Sequence, residues 1–138
     1  MKRFIYTALA LLLLISVFLP YTSVQAANVN LIANPSAETT VNNLPQGWTK
    51  DNWGTNTPTF TYATTGHIGS RSLYVSVANY ASGDAKWVAD QVAVTAGQTY
   101  QYSDYSESNV ATELDAAYSD ASGNMTYVYL QSIAASSS

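Results

Sequence analysis

From residue 27 onward, apolar and polar residues alternate over short runs, and clusters of Gly, Asn, Ser, Pro and Asp separate the runs. Alternation with a period of two marks a strand, because successive side chains point to opposite faces. No run carries the three-to-four spacing of an amphipathic helix. The pattern predicts strands at 29–33, 47–53, 58–64, 72–78, 85–94, 98–106, 111–118 and 125–131. Turn chemistry falls between them: Gly66-His67-Ile68-Gly69, Ser82-Gly83-Asp84, Thr95-Ala96-Gly97, and the polar stretch 119–124. The fold class is therefore all-β, an antiparallel β-sandwich.

The same parity assigns faces. Leu73, Val75 and Val77 form a core face. In 85–94 the apolar set is Val88, Val92 and Val94, so Trp87, Ala89, Gln91 and Ala93 are expected outside. In 98–106 Tyr100 and Tyr102 point inward, and Gln101, Ser103 and Tyr105 outward. Thr112, Leu114, Ala116 and Tyr118 share one face, which leaves Glu113 and Asp115 on the other. In the last strand Val128 and Leu130 look inward, and Tyr127 and Tyr129 outward. Parity also turns Lys86 inward with Val88, and Asp104 inward with Tyr100 and Tyr102. A lone buried charge is costly, so these two are expected to pair unless a β-bulge turns one of them out.

The first 26 residues change the picture of the chain's location. Lys2 and Arg3 precede a nearly continuous apolar run from Ile5 to Leu19. Pro20 ends the run, and Val24-Gln25-Ala26 supplies small residues before Ala27. This is the layout of a secretory signal peptide; the alternative is an uncleaved anchor, for which about 15 apolar residues fall short of the roughly 20 that span a bilayer. Residues 27–138 would then be the mature protein, 112 residues that suit one small domain, secreted or at the cell surface. Without the leader, Lys50, Arg71 and Lys86 stand against nine carboxylates, a net charge of −6. Nucleic acid and anionic membrane surfaces both need a basic footprint, so this charge argues against both as partners. There is no cysteine, so the fold depends on its core or on a bound metal, and thiolate chemistry is absent.

The mature part holds nine Tyr and three Trp. A pyranose ring has an apolar C–H face and a rim of hydroxyls, so its binding favours a flat aromatic beneath and amides or carboxylates beside it. Trp87, Tyr105, Tyr127 and Tyr129 supply outward aromatics; Gln101, Glu113 and Asp115 supply the polar rim. Any one of these aromatics can instead belong to the core. Trp48 reads as a packing residue. Trp53, nearer a loop, fits either core or the border of a cleft. His67 is the sole histidine, with nothing in the sequence to complete a triad or metal cluster around it, and reads as a turn residue. Glu113 and Asp115 project in parallel from one strand about 7 Å apart, which does not set them on opposite sides of a glycosidic bond. No catalytic constellation is visible, and the expectation is a non-enzyme.

The segments NPSAE at 34–38, GW at 47–48, GHIGSRSLYVSV at 66–77, YASGDAKW at 80–87, VTAGQTYQYSDY at 94–105 and SNVATELDAAYSDASG at 108–123 follow in an order and spacing that resembles the galactose-binding-like jelly-roll modules of bacterial carbohydrate-binding proteins. The resemblance spans about residues 30–135. It implies a jelly roll, a polysaccharide or oligosaccharide as partner, and no catalysis in this part of the chain. It also implies a structural Ca²⁺ site using Glu38 and main-chain oxygens of the 67–72 turn; the alternative is an ordinary turn carboxylate. Such modules continue past a segment like 132–138 into further strands, one of them supplying an acidic calcium ligand, so the chain is expected to be a fragment lacking its last one or two strands. Two other functions stay open: an adhesive or structural surface domain making protein contacts, and a fragment of a polysaccharide-active enzyme.

Overall fold

The computed structural model describes residues 29–136, and every regular element among them is a strand. The leader assigned to residues 1–26 lies outside the described residues. The chain divides into two units, Met1–Leu31 and Ile32–Ser138, and the strands of the described residues lie in the second. They are β1 (Thr40–Val41), β2 (Leu44–Pro45), β3 (Trp48–Trp53), β4 (Thr57–Ala63), β5 (Ser72–Ala78), β6 (Asp84–Ala89), β7 (Thr112–Ser119) and β8 (Met125–Ile133). They pair antiparallel as β1–β2, β3–β6, β4–β5 and β7–β8.

The polar segment before β1 forms the most buried part of the molecule. Asn34, Ala37 and Pro45 are buried. The Asn34 side chain donates to the carbonyls of Thr39 (3.0 Å) and Gln46 (2.9 Å) and accepts the Thr39 N–H at 3.1 Å. Its own carbonyl accepts the Trp48 indole N–H at 2.8 Å. One amide thus pairs three part-buried backbone groups, and for the Thr39 N–H and the Gln46 carbonyl it is the partner that offsets their desolvation. The hairpin it holds turns through Asn42 and Asn43, whose φ values of 52° and 61° give the two-residue primed turn that matches strand twist.

β4 and β5 present Pro58, Phe60 and Tyr62 with Leu73, Val75 and Val77 on one face, as their cross-strand pairing requires. Leu73 and Val75 are half-buried there, and Val77 at the strand's end is exposed. This face meets β3–β6 at Trp87, whose ring stands edge-on to Phe60 with centroids 5.7 Å apart. The Trp87 N–H donates to the Tyr74 carbonyl at 3.2 Å, and the Lys50 ammonium lies 5.3 Å from the ring centroid.

Several expectations are corrected. Residues 29–33 and 98–106 form no strand. β6 ends at Ala89, so Val92 and Val94 lie beyond it, and both are exposed. Trp87 faces Phe60 while Val88 is exposed, which reverses the predicted parity of this strand. The larger aromatic surface takes the covered side because it removes more apolar area from water. Lys86 pairs with Asp51 (3.1 Å), directly across on β3, and with Asp84 (2.7 Å), two residues back on its own face, rather than with Asp104. Asp104 instead accepts the Tyr102 hydroxyl at 3.0 Å. Partial burial of that hydroxyl, together with the acceptor carboxylate, pushes the Tyr102 phenol up to about 12.

Candidate functional site

β7 and β8 are joined by a turn that Asp120 organises. Its carboxylate accepts the N–H groups of Ser122 (2.8 Å) and Asn124 (2.9 Å) and the Asn124 amide (2.9 Å), and its carbonyl accepts Gly123 N–H at 3.0 Å. Those donors, the Asn124 amide foremost, hold the Asp120 carboxyl below the usual range. Asx chemistry of this kind fixes the register of the strands that follow.

That register pairs Ala117 with Tyr127, Asp115 with Tyr129 and Glu113 with Ser132. Residues directly opposite share a face, so Tyr127, Tyr129, Asp115 and Glu113 stand together on one side of the hairpin. Leu114, Ala116 and Val128 occupy the other side, and the first two are half-buried. Between Leu114 and Asp115 the register slips by one, leaving Leu130 without a partner and exposed rather than inward. Tyr127 and Tyr129 are 61% and 58% exposed. Neither the Glu113 nor the Asp115 carboxylate has a hydrogen-bond or ion-pair partner among the described residues. Two flat rings and two unengaged carboxylates therefore face water together.

The other candidates belong to other segments of the chain. Trp53 ends β3, is 63% exposed and sits opposite Asp84, on the side of that ladder carrying Asp51 and Lys86. Trp87 is half-buried against Phe60 and is a packing residue, not an outward platform. Tyr105 is exposed and stacks on His67, centroids 3.9 Å apart and planes at 16°. Gln101 is exposed in the strandless stretch between β6 and β7. Trp48, expected to pack, is half-buried with its N–H satisfied by Asn34.

Glu38 reaches the predicted turn, but through donors. Its Oε1 accepts the N–H groups of Ser70 (2.8 Å) and Arg71 (2.9 Å), and its Oε2 accepts the Ser70 hydroxyl at 2.8 Å. Gly69, at φ 89°, lets the carboxylate approach; a Cβ there would fall inside contact distance of Oε1. The hydroxyl bond first, then the backbone N–H groups and the nearby Arg71 charge, hold the Glu38 carboxyl below its ordinary value. Ca²⁺ needs converging oxygen acceptors. The groups converging on Glu38 are N–H and O–H donors, so the residues as placed do not fit a Ca²⁺ shell.

Sequence reasoning passed over Asn34, although it sits inside the NPSAE segment, and Asp51, whose position opposite Lys86 follows only once β3 and β6 pair. The Asn42-Asn43 dipeptide was a readable signal for the hairpin before β3.

Fold and exposed surface together define an all-β protein of antiparallel two-stranded ladders with an aromatic and acidic face on its last hairpin. No protein-family model matches the chain, and neither a curated protein nor a solved structure matches it.

Proposed function

We propose that the chain is a non-catalytic carbohydrate-binding module of galactose-binding-like jelly-roll type, which holds a secreted bacterial protein on polysaccharide. The observation that carries this reading is the β7–β8 face, where Tyr127 and Tyr129 stand exposed on the same side as Asp115 and Glu113. Stacking under the C–H face of a sugar, with carboxylates accepting its hydroxyls, asks for this combination of groups. Trp53, Tyr105 and Gln101 would supply outlying contacts; Trp87 is better read as the support of the fold. The reading needs no cofactor and no reaction, since the face offers binding groups without an acid and base set across a scissile bond.

Affinity electrophoresis of the full chain on xylan, β-glucan, chitin, chitosan and cellulose tests it. Retardation on at least one polymer, lost in a Tyr127→Ala, Tyr129→Ala double variant, is expected. Free migration through every polymer overturns sugar binding and leaves an adhesive domain that makes protein contacts.

A further inference from the structure

The three cations beyond residue 26, Lys50, Arg71 and Lys86, are each engaged by neighbouring groups of the fold. Lys86 lies between Asp51 and Asp84. The Arg71 guanidinium covers the Tyr62 ring, 4.7 Å from its centroid. The Lys50 ammonium sits over Trp87 and Phe60, at 5.3 and 5.9 Å. Neither β7 nor β8 contains a Lys, Arg or His. The charge left open on the tyrosine face is therefore of one sign, from Glu113 and Asp115.

We propose that the face bearing Tyr127, Tyr129, Asp115 and Glu113 selects a cationic amino-sugar polymer, an N-deacetylated glycan, over neutral or anionic ones. This inference rests on the sugar-binding reading above and narrows it. A neutral sugar gives the two carboxylates only hydroxyls, which amides would serve without mutual repulsion. A protonated amino sugar offers each carboxylate a charge-assisted hydrogen bond and still presents an apolar ring face to the tyrosines. Its ammonium also gains from the negative face of a tyrosine ring. A uronate polymer would meet two carboxylates and a net negative charge, −4 for the whole chain and −6 without residues 1–26, and is repelled.

The test compares the full chain on a series from chitin to chitosan of rising deacetylation, with xylan as neutral control, in mildly acidic buffer. Retardation should grow with deacetylation and weaken with added salt, as exposed charge pairs are screened. Asp115→Asn and Glu113→Gln should each weaken binding to chitosan about two- to fivefold, the range for exposed ion pairs. The pair Asp90→Asn and Glu107→Gln, which lies on neither strand of this face, should leave it unchanged. If that pair weakens binding as much, the attraction is only that of net charge and the proposal fails. If chitin or xylan binds as well as chitosan, through the tyrosines and without the carboxylates, selectivity fails while sugar binding stands. If no polymer is retarded, both fall.

Discussion

The Glu38 carboxylate grips Ser70 twice, accepting its hydroxyl on Oε2 and its backbone N–H on Oε1, each at 2.8 Å. With the Arg71 N–H on the same oxygen, this ties the segment before β1 to the turn that opens β5. Tyr62 of β4 closes the same corner, its hydroxyl donating to the Ala37 carbonyl and its ring lying beneath Arg71.

Acid should loosen this corner. A carboxyl whose folded value is depressed adds stability that is present above its unfolded value and lost as pH falls through the folded one. Glu38 and Asp120 are both depressed, so both act in that window. Thermal unfolding followed over an acid series should show the melting temperature falling on acidification. Glu38→Gln should melt lower at neutral pH and lose part, not all, of the acid slope, because Asp120 still titrates. An unchanged slope would remove Glu38 from this role.

Gly69 and Gly97 both adopt positive φ, at 89° and 79°, yet differ in surroundings. A side chain at Gly97 meets nothing within 4 Å, whereas at Gly69 it collides with the Glu38 carboxylate. Gly97→Ala should cost about 1 kcal/mol, from backbone strain alone. Gly69→Ala should cost about 1–3 kcal/mol more, because the carboxylate must also leave its donors. Urea unfolding of the two variants side by side measures the difference.

Asn34→Ala should destabilise by about 2–3 kcal/mol, since it strands the Thr39 N–H and the Gln46 carbonyl, while the Thr39 carbonyl keeps the Gln46 N–H. Trp48 fluorescence should report the change early in a urea titration, because its indole N–H is bonded to the Asn34 carbonyl. Asn34→Asp should not rescue, for it removes the two donated bonds.

Trp87 and Tyr129 should separate folding from binding. Trp87→Ala removes the ring packed on Phe60 and should cost about 1–3 kcal/mol of stability. Tyr129→Ala should leave the melting temperature within a degree or so while weakening sugar binding about two- to tenfold, the worth of one stacked ring. Melting curves and affinity gels on the same two proteins distinguish these outcomes.

Alternation located β5 at its observed bounds and β7 and β8 to within two residues, because each has a full run of period-two residues and a partner close in sequence. The same signal failed at 98–106. Alternation records where side chains can point, whereas a strand also needs a neighbouring edge for its backbone, and this stretch has none. In 85–94 the valines suggested a longer strand than the pairing with β3 supports; that ladder stops where Ala89 meets Trp48. β1 and β2 are two residues each and cannot show a period. On the candidate face, parity alone grouped Glu113 with Asp115 and Tyr127 with Tyr129. Bringing the two pairs together required the register, which is set by the Asp120 turn. The resemblance grouped Glu38 with the 67–72 turn, and the two do meet, the carboxylate accepting the N–H groups of Ser70 and Arg71.

At the far end of the β3–β6 ladder, Gly54 and Gly83 lie backbone against backbone, with no room for a Cβ on either. Asn56 stitches the same place, donating to the carbonyls of Trp53 (2.8 Å) and Ser82 (3.1 Å). The loops on either side are therefore sealed against growth. A longer loop would find room instead at the turn of Gly97, where a side chain would meet open space. The turn at Gly123 is open in the same sense but is held by the hydrogen bonds to Asp120 that set the register of the tyrosine face, so a change of length there would shift that face.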